Sequence, residues 1–273
     1  MIQRPSKGQQ IETPDYLAEI FQPSDQLALL VRNRHRGETV QRIAGAARVL
    51  ERSFQEWLHS KNGRDGFDVY VGMNPLKPGA RSRTKEDIFT IRNLYVDLDH
   101  QGPTALDAIQ RSNLVPQPNY VLSTSRDKFQ VVWQVDGISR DGAEALLRGM
   151  AHKFGADSAA TDSTRVLRLP GFFNHKYEEK VLVRAEKYSD RINHLLDFKL
   201  RTDSSDSPYQ TLRRSSARTL SSQTRTLSQS EHDWSLAKRP PARETDPEET
   251  IRSTTQDRTS ESAEIVDTPE ELP

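Results

Sequence analysis

Apolar and polar positions follow regular periods up to Arg201 and lose them beyond it. Tyr16, Leu17, Ile20 and Phe21 recur at helical spacing and predict a helix over 13–21. Residues 26–31 are a short apolar run that suits a strand. Val40, Ile43, Ala47, Leu50, Phe54, Trp57 and Leu58 keep a helical period, so 38–60 is predicted as one helix. Alternation predicts a strand over 67–71, ended by the Gly72-Met-Asn-Pro75 turn. A strand over 91–98 and a helix over 104–111 follow. Residues 119–123 and 129–135 read as a hairpin joined by Thr-Ser-Arg-Asp-Lys128. Over 139–154 an amphipathic helix turns Ala143, Leu146, Leu147 and Met150 inward, and strands are predicted at 166–169 and 181–185. A hairpin in mid-chain among mixed helices and strands predicts an α/β (α+β) fold. Its sheet should be mostly antiparallel or mixed, with helices packed on it.

Beyond Arg201 the composition changes: Ser and Thr crowd the chain and large apolar side chains become scarce. Such a segment buries too little surface to offset its ordering entropy. The chain therefore divides into a flexible N-terminus (1–12), a catalytic-type domain (13–202), a linker (203–227), a short helical segment (228–258) and an acidic disordered tail (259–273). In the helical segment Ser230 is an N-cap with Asp233 three residues on, and Pro240-Pro241 stops the helix. Asp246-Pro-Glu-Glu249 starts a second short one.

Lys plus Arg and Asp plus Glu each number 39, so a nucleic-acid surface has to be a local patch. Two clusters qualify: Arg32, Arg34 and Arg36, and Arg81, Arg83 and Lys85. Each also reads as a solvated loop. Cysteine is absent, which excludes disulfide scaffolds and thiolate metal sites and fits a reducing cytoplasm. The first residues lack the apolar core of a signal peptide. No stretch approaches the ~20 apolar residues that cross a bilayer. The expectation is a cytoplasmic protein with no membrane partner.

Candidate chemistry concentrates in Asn93-Leu-Tyr-Val-Asp97-Leu-Asp99-His100. Alternate side chains of a strand share a face, so Asp97 and Asp99 point the same way. Two carboxylates that close repel unless a cation lies between them, and hard oxygen donors suit Mg²⁺ or Mn²⁺. An isolated D-x-D is equally two solvated residues leaving a strand, and it also occurs in glycosyltransferases and metal-dependent hydrolases. Asp157 and Asp162 read alone as caps or turn formers. They precede Arg165-Val-Leu-Arg168-Leu-Pro-Gly171-Phe-Phe-Asn174-His-Lys176, whose cations suit a triphosphate beside a metal. The spacing of Arg165 and Arg168 leaves one to pair internally and one to face a cleft. In the hairpin, Lys128 and Gln130 share one strand face, an arrangement ordinary for a half-exposed strand.

Together these blocks resemble the RepB-type primases of the archaeo-eukaryotic primase superfamily. The likeness rests on Tyr95-Val-Asp97-Leu-Asp99, on Ser123-Thr-Ser125-x-x-Lys128-x-Gln130-x-x-Trp133, and on Asp157 followed by Arg165-Val-Leu-Arg168-Leu-Pro-Gly171-Phe-x-Asn174-x-Lys176. It covers most of residues ~15–200, and Gly72-Met-Asn-Pro-Leu76 is similar too. The resemblance implies two α/β units around a cleft, one like an RNA-recognition fold. It implies template-directed synthesis of short primers from nucleoside triphosphates in plasmid or mobile-element replication. The implied partners are a single-stranded DNA template and a replicative helicase or initiator. Asp97, Asp99 and Asp157 would hold two Mg²⁺ or Mn²⁺ ions. Asp157 is preferred to Asp162 because its distance to Arg168 matches the family pattern. Ser123, Ser125, Lys128 and Gln130 would line the nucleotide site, Arg168 would contact the triphosphate, and Asn174 and Lys176 would lie close by. One departure stands out: many relatives carry Ser-x-His on the middle strand, where this chain has Gln130-Val131-Val132. His100 and His175 are the nearby histidines that could take its place. The segment 228–258 is similar to a helical module that follows such domains.

Overall fold

The structure is a computed structural model that describes residues 8–200. The linker, helical segment and acidic tail expected at 203–273 lie outside the described residues. In chain order the elements are β1 (Gln9–Ile11), α1 (Thr13–Ile20), β2 (Gln26–Asn33), β3 (Glu38–Gly45), α2 (Ala46–Val49), α3 (Arg52–Gly63), β4 (Asp68–Gly72) and β5 (Asn93–Leu98). Then come α4 (Gly102–Gln110), β6 (Tyr120–Ser125), β7 (Lys128–Gln134), α5 (Arg140–Phe154), β8 (Val166–Arg168), β9 (Phe173–Asn174), β10 (Val181–Leu182) and β11 (Arg184–Lys187).

Three sheets form: a five-stranded one in the order β1-β11-β6-β7-β5, a four-stranded one in the order β3-β2-β4-β8, and the β9–β10 pair. Every neighbouring pair is antiparallel. The expected sheet type and mid-chain hairpin are both present, the hairpin turning at Arg126-Asp127 with Asp127 at φ 57°. In the five-stranded sheet, alternation sends Leu94, Val96 and Leu98 to the opposite face from Tyr95 and Asp97. The two large sheets share one continuous core that includes Leu29, Val71, Leu94, Val132, Trp133 and Leu167. Side chains stitch the seam between them: Asn93 Nδ2 donates to the Met73 carbonyl (2.7 Å), and the Tyr95 hydroxyl donates to the Asp162 carbonyl.

Local chemistry explains the element ends. Ser139 caps α5 by accepting from the Gly142 N–H (3.2 Å), and Gly155 ends the helix in the left-handed region at φ 66°. Pro14 stands in the first turn of α1, where no N–H is needed.

Three expectations need correction. The single helix over 38–60 is a strand followed by two helices. Residues Glu38–Gly45 pair with β2 across eight positions, because Gly37 at φ 67° turns the chain and Thr39, Val40 and Ile43 are β-branched. Val40 and Ile43 fit a helical period only by coincidence of spacing. The flexible N-terminus is ordered at Gln9–Ile11, where β1 adds to the sheet edge beside β11. The strand over 181–185 is two short strands belonging to different sheets.

Gly171 ties this frame together. It has φ 86°, and a Cβ there would run into Thr13 Oγ1, which donates to the Pro170 carbonyl (2.6 Å). Gly171→Ala is expected to cost roughly 1–3 kcal/mol from the positive φ alone, measurable by urea unfolding. Unchanged stability would show that neither the turn nor the α1 contact constrains the fold.

Candidate active site

A cleft opens where β5, β7 and β8 approach the tip of β2 and the loop after β9. Its floor carries the charges. Asp97 ends the apolar run of β5, and Asp99 follows one residue beyond the strand. Asp157 comes from the turn after α5, held because its N–H donates to the Asp97 carbonyl (2.9 Å). These three carboxylates line one cleft. Asp162 is buried and caps its own turn, accepting from the Thr164 N–H (3.0 Å) and hydroxyl (2.5 Å).

Cations and amides answer the carboxylates. Lys128 Nζ lies 3.2 Å from Asp99, and Gln130 Nε2 donates to Asp97 (3.3 Å). The other end of Gln130 accepts from the Arg168 N–H (3.1 Å), so this one amide couples β7 to both β5 and β8. The Arg165 guanidinium contacts both Asp97 (3.9 Å) and Asp157 (3.7 Å). Burial and then the Asp99 carboxylate push the Asp97 carboxyl up to about 6, with Asp157 adding to the rise. Arg165 and the Gln130 amide oppose it. Proximity of like charges is the chemistry that a divalent cation relieves, and three carboxylates are the hard donor set that Mg²⁺ or Mn²⁺ takes. Among the described residues no three His, Cys, Asp or Glu side chains lie close enough to form a metal site as they stand. Arg165 supplies positive charge there instead.

Arg168 is more deeply committed than its sequence position indicates. It pairs with Asp68 through two contacts, Nη1–Oδ1 at 2.9 Å and Nη2–Oδ2 at 3.3 Å, and stacks over Tyr70 at 4.9 Å. Asp68 also accepts from Arg34 Nε (3.3 Å), the Tyr70 hydroxyl (3.1 Å) and the His175 N–H (2.7 Å). Burial alone would raise the Asp68 carboxyl. Arg168, the His175 N–H and Arg34 more than reverse that and hold it below the usual carboxylate range.

The remaining predicted residues divide. Ser125, Asn174 and Lys176 line the cleft; Asn174 is buried and donates to the Thr124 carbonyl (2.7 Å), so its amide is structural as well. Ser123 does not line the cleft. It sits opposite Phe129 in register, on the strand face away from Gln130. Of the first basic cluster, Arg32 and Arg34 line the cleft, and Arg36 is exposed outside it. The second cluster is largely not a surface: Arg83 is buried and donates to the Thr164 carbonyl, and Lys85 pairs with Glu144 at 2.9 Å. Arg81 alone of the three is exposed, away from the cleft. His100 is exposed outside the cleft, and His175 offers Asp68 its backbone, not its ring. Neither replaces the absent Ser-x-His. Sequence reasoning missed Tyr70 and Tyr177 as cleft components and Asp68 as the buried counter-ion of Arg168. A charged residue inside the apolar strand 67–71 was the available signal for Asp68.

The family model described as the RepB DNA-primase N-terminal domain matches residues 35–194. The chain belongs to the RepB DNA-primase family. A replication protein of Clostridium perfringens is 28% identical over 134 residues, covering 44% of this chain and 32% of that protein. The chain thus spans about a third of that relative. Among solved structures, the catalytic domain of primase RepB′ in complex with initiator DNA is similar at TM-score 0.50 and 23% identity, over 67% of this chain and 88% of that one. The primase-polymerase domain of cyanophage S-2L reaches TM-score 0.52 at 15% identity, over 68% and 94%. The chain thus shares the fold of these two structures.

Removing Asp68 tests the network. Asp68→Asn is expected to cost about 3–5 kcal/mol, because it leaves Arg168 buried without its counter-ion. Since folding lowers the Asp68 pKa, its contribution is complete above the usual carboxylate range and lost as pH falls through its depressed folded value. The parent should therefore lose more stability than Asp68→Asn on acidification below about pH 4. Parallel acid limbs in thermal melts of the two proteins would contradict this account.

Proposed function

We propose that this chain is a metal-dependent DNA primase, joining nucleoside triphosphates into short primers on a single-stranded DNA template. The observation that carries the reading is the convergence of Asp97, Asp99 and Asp157 on a cleft that also holds Lys128, Arg165 and Arg168. Membership of the RepB DNA-primase family supports it. Asp97, Asp99 and Asp157 would hold Mg²⁺ or Mn²⁺. When bound, such ions lower the pKa of an attacking 3′-hydroxyl and neutralise a pyrophosphate leaving group. Gln130 fixes the Asp97 carboxylate and the β8 backbone in one register. Lys128 and Lys176 would balance triphosphate charge in the cleft, while Arg168, already paired with Asp68, shapes its wall. Arg32 and Arg34 at the tip of β2 extend the cationic wall towards a template strand. No covalent enzyme intermediate is needed. A replicative helicase or initiator as partner belongs to the same reading. Among the described residues no helix is long and apolar enough to cross a membrane.

One observation favours a second reading, a primase-fold protein that binds nucleic acid without nucleotidyl transfer: the Asp97 and Asp157 carboxylates already share the Arg165 guanidinium. Primer synthesis on single-stranded DNA with Mn²⁺ separates the two. The parent is expected to make product, and Asp99→Asn to make at least about a hundredfold less. Equal product from both refutes the assignment of Asp99. No product from a parent that still binds template decides for the second reading.

A further inference from the structure

Tyr177 was singled out by no motif, yet it lies on the wall of the cleft with its side chain 40% exposed. Two cations approach it, Lys128 Nζ at 5.7 Å and Lys176 Nζ at 5.5 Å from the ring centroid. A cation packed flat on a ring comes closer, as Arg42 does over Trp57 at 4.2 Å. At 5.5–5.7 Å the two ammonium groups stand farther off, and Tyr177 stays 40% exposed on the cleft wall. Lys128 in turn pairs with Asp99 at 3.2 Å, so one lysine spans from the tyrosine to the carboxylates. The other aromatic ring of the cleft, Tyr70, is not available in this way, because Arg168 stacks over it at 4.9 Å.

We infer that Tyr177 is a stacking platform for a nucleobase, held at a fixed distance from the carboxylate cluster by Lys128. The inference rests on the nucleotide-handling reading above and adds a base subsite to it. An aromatic face binds any base, because every base has a π-face, and flanking cations take the phosphates attached to it. The base belongs either to a free nucleoside triphosphate or to a single strand lying in the cleft. The chemistry of recognition is the same for both.

The test uses 2-aminopurine, whose fluorescence is quenched by stacking, in two probes. One is 2-aminopurine riboside triphosphate with Mg²⁺, and the other is a single-stranded oligodeoxynucleotide with one internal 2-aminopurine. Each is titrated with the parent, Tyr177→Phe and Tyr177→Leu. The parent and Tyr177→Phe are expected to quench at least one probe. Tyr177→Leu should bind that probe roughly tenfold more weakly and lose the quenching. The probe affected identifies the source of the base. Equal binding and quenching by Tyr177→Leu overturns the platform and leaves the primase reading intact. A parent that binds neither probe removes the underlying reading and the platform with it. Loss in Tyr177→Phe as great as in Tyr177→Leu assigns the effect to the hydroxyl and its lysines, and also overturns the stacking role.

Discussion

Charge buried between two sheets is the constraint to which the rest of this structure answers. Asp68 has almost no exposure, so its negative charge must be matched within the protein. Arg168 supplies two contacts, Arg34 and Tyr70 another each, and the His175 N–H a fourth partner. These partners come from β8, the tip of β2, β4 and the loop after β9. Satisfying one carboxylate therefore fixes four pieces of backbone around the cleft. Removing the acid would leave Arg168 without its counter-ion, while Arg34 and Tyr70 would keep the hydrogen bond between them (3.2 Å).

A second, weaker set of charges lies across the same cleft. Asp97, Asp99 and Asp157 repel one another, and Arg165 and Lys128 hold them in place. The two sets differ in kind. The Asp68 set is closed, with acid and base neutralised and shielded. The Asp97 set keeps surplus negative charge, three carboxylates against Arg165 and Lys128, and burial followed by the Asp99 carboxylate displaces the Asp97 carboxyl upward. Gln130 is the only described side chain that hydrogen-bonds both Asp97 and the Arg168 backbone. A neutral amide suits that position because it donates to one neighbour and accepts from the other, which a histidine ring does only in a single tautomer.

Much of this was legible in the order of residues. Period-two runs located β4, β5 and the β6–β7 hairpin, and the D-x-D and its cationic followers marked the cleft. What was not legible depended on pairing across the fold. The helical period over 38–60 was genuine as a pattern, but strand pairing with β2 overrode it for the first eight residues. The role of Arg168 was hidden because Asp68 lies a hundred residues away and looks like an ordinary strand position. Arg83 reads by spacing as part of a basic patch, yet it is buried against the Thr164 carbonyl. Ser123 matched a motif by spacing, but the irregularity between Ser123 and Ser125 sends only the latter into the cleft. Spacing reveals which face a residue takes only while the ladder stays regular.

The strand that bears Asp97 is the last of its sheet, with β7 on one side and no strand on the other. Such a margin would ordinarily invite a strand from another molecule to add on. Here the Asp157 N–H occupies the Asp97 carbonyl, and Asn74 takes the Asn93 N–H (3.1 Å). The turn that delivers the third carboxylate thus also covers part of this margin. Loosening it would bare the Asp97 carbonyl and carry Asp157 away from Asp97 in a single step.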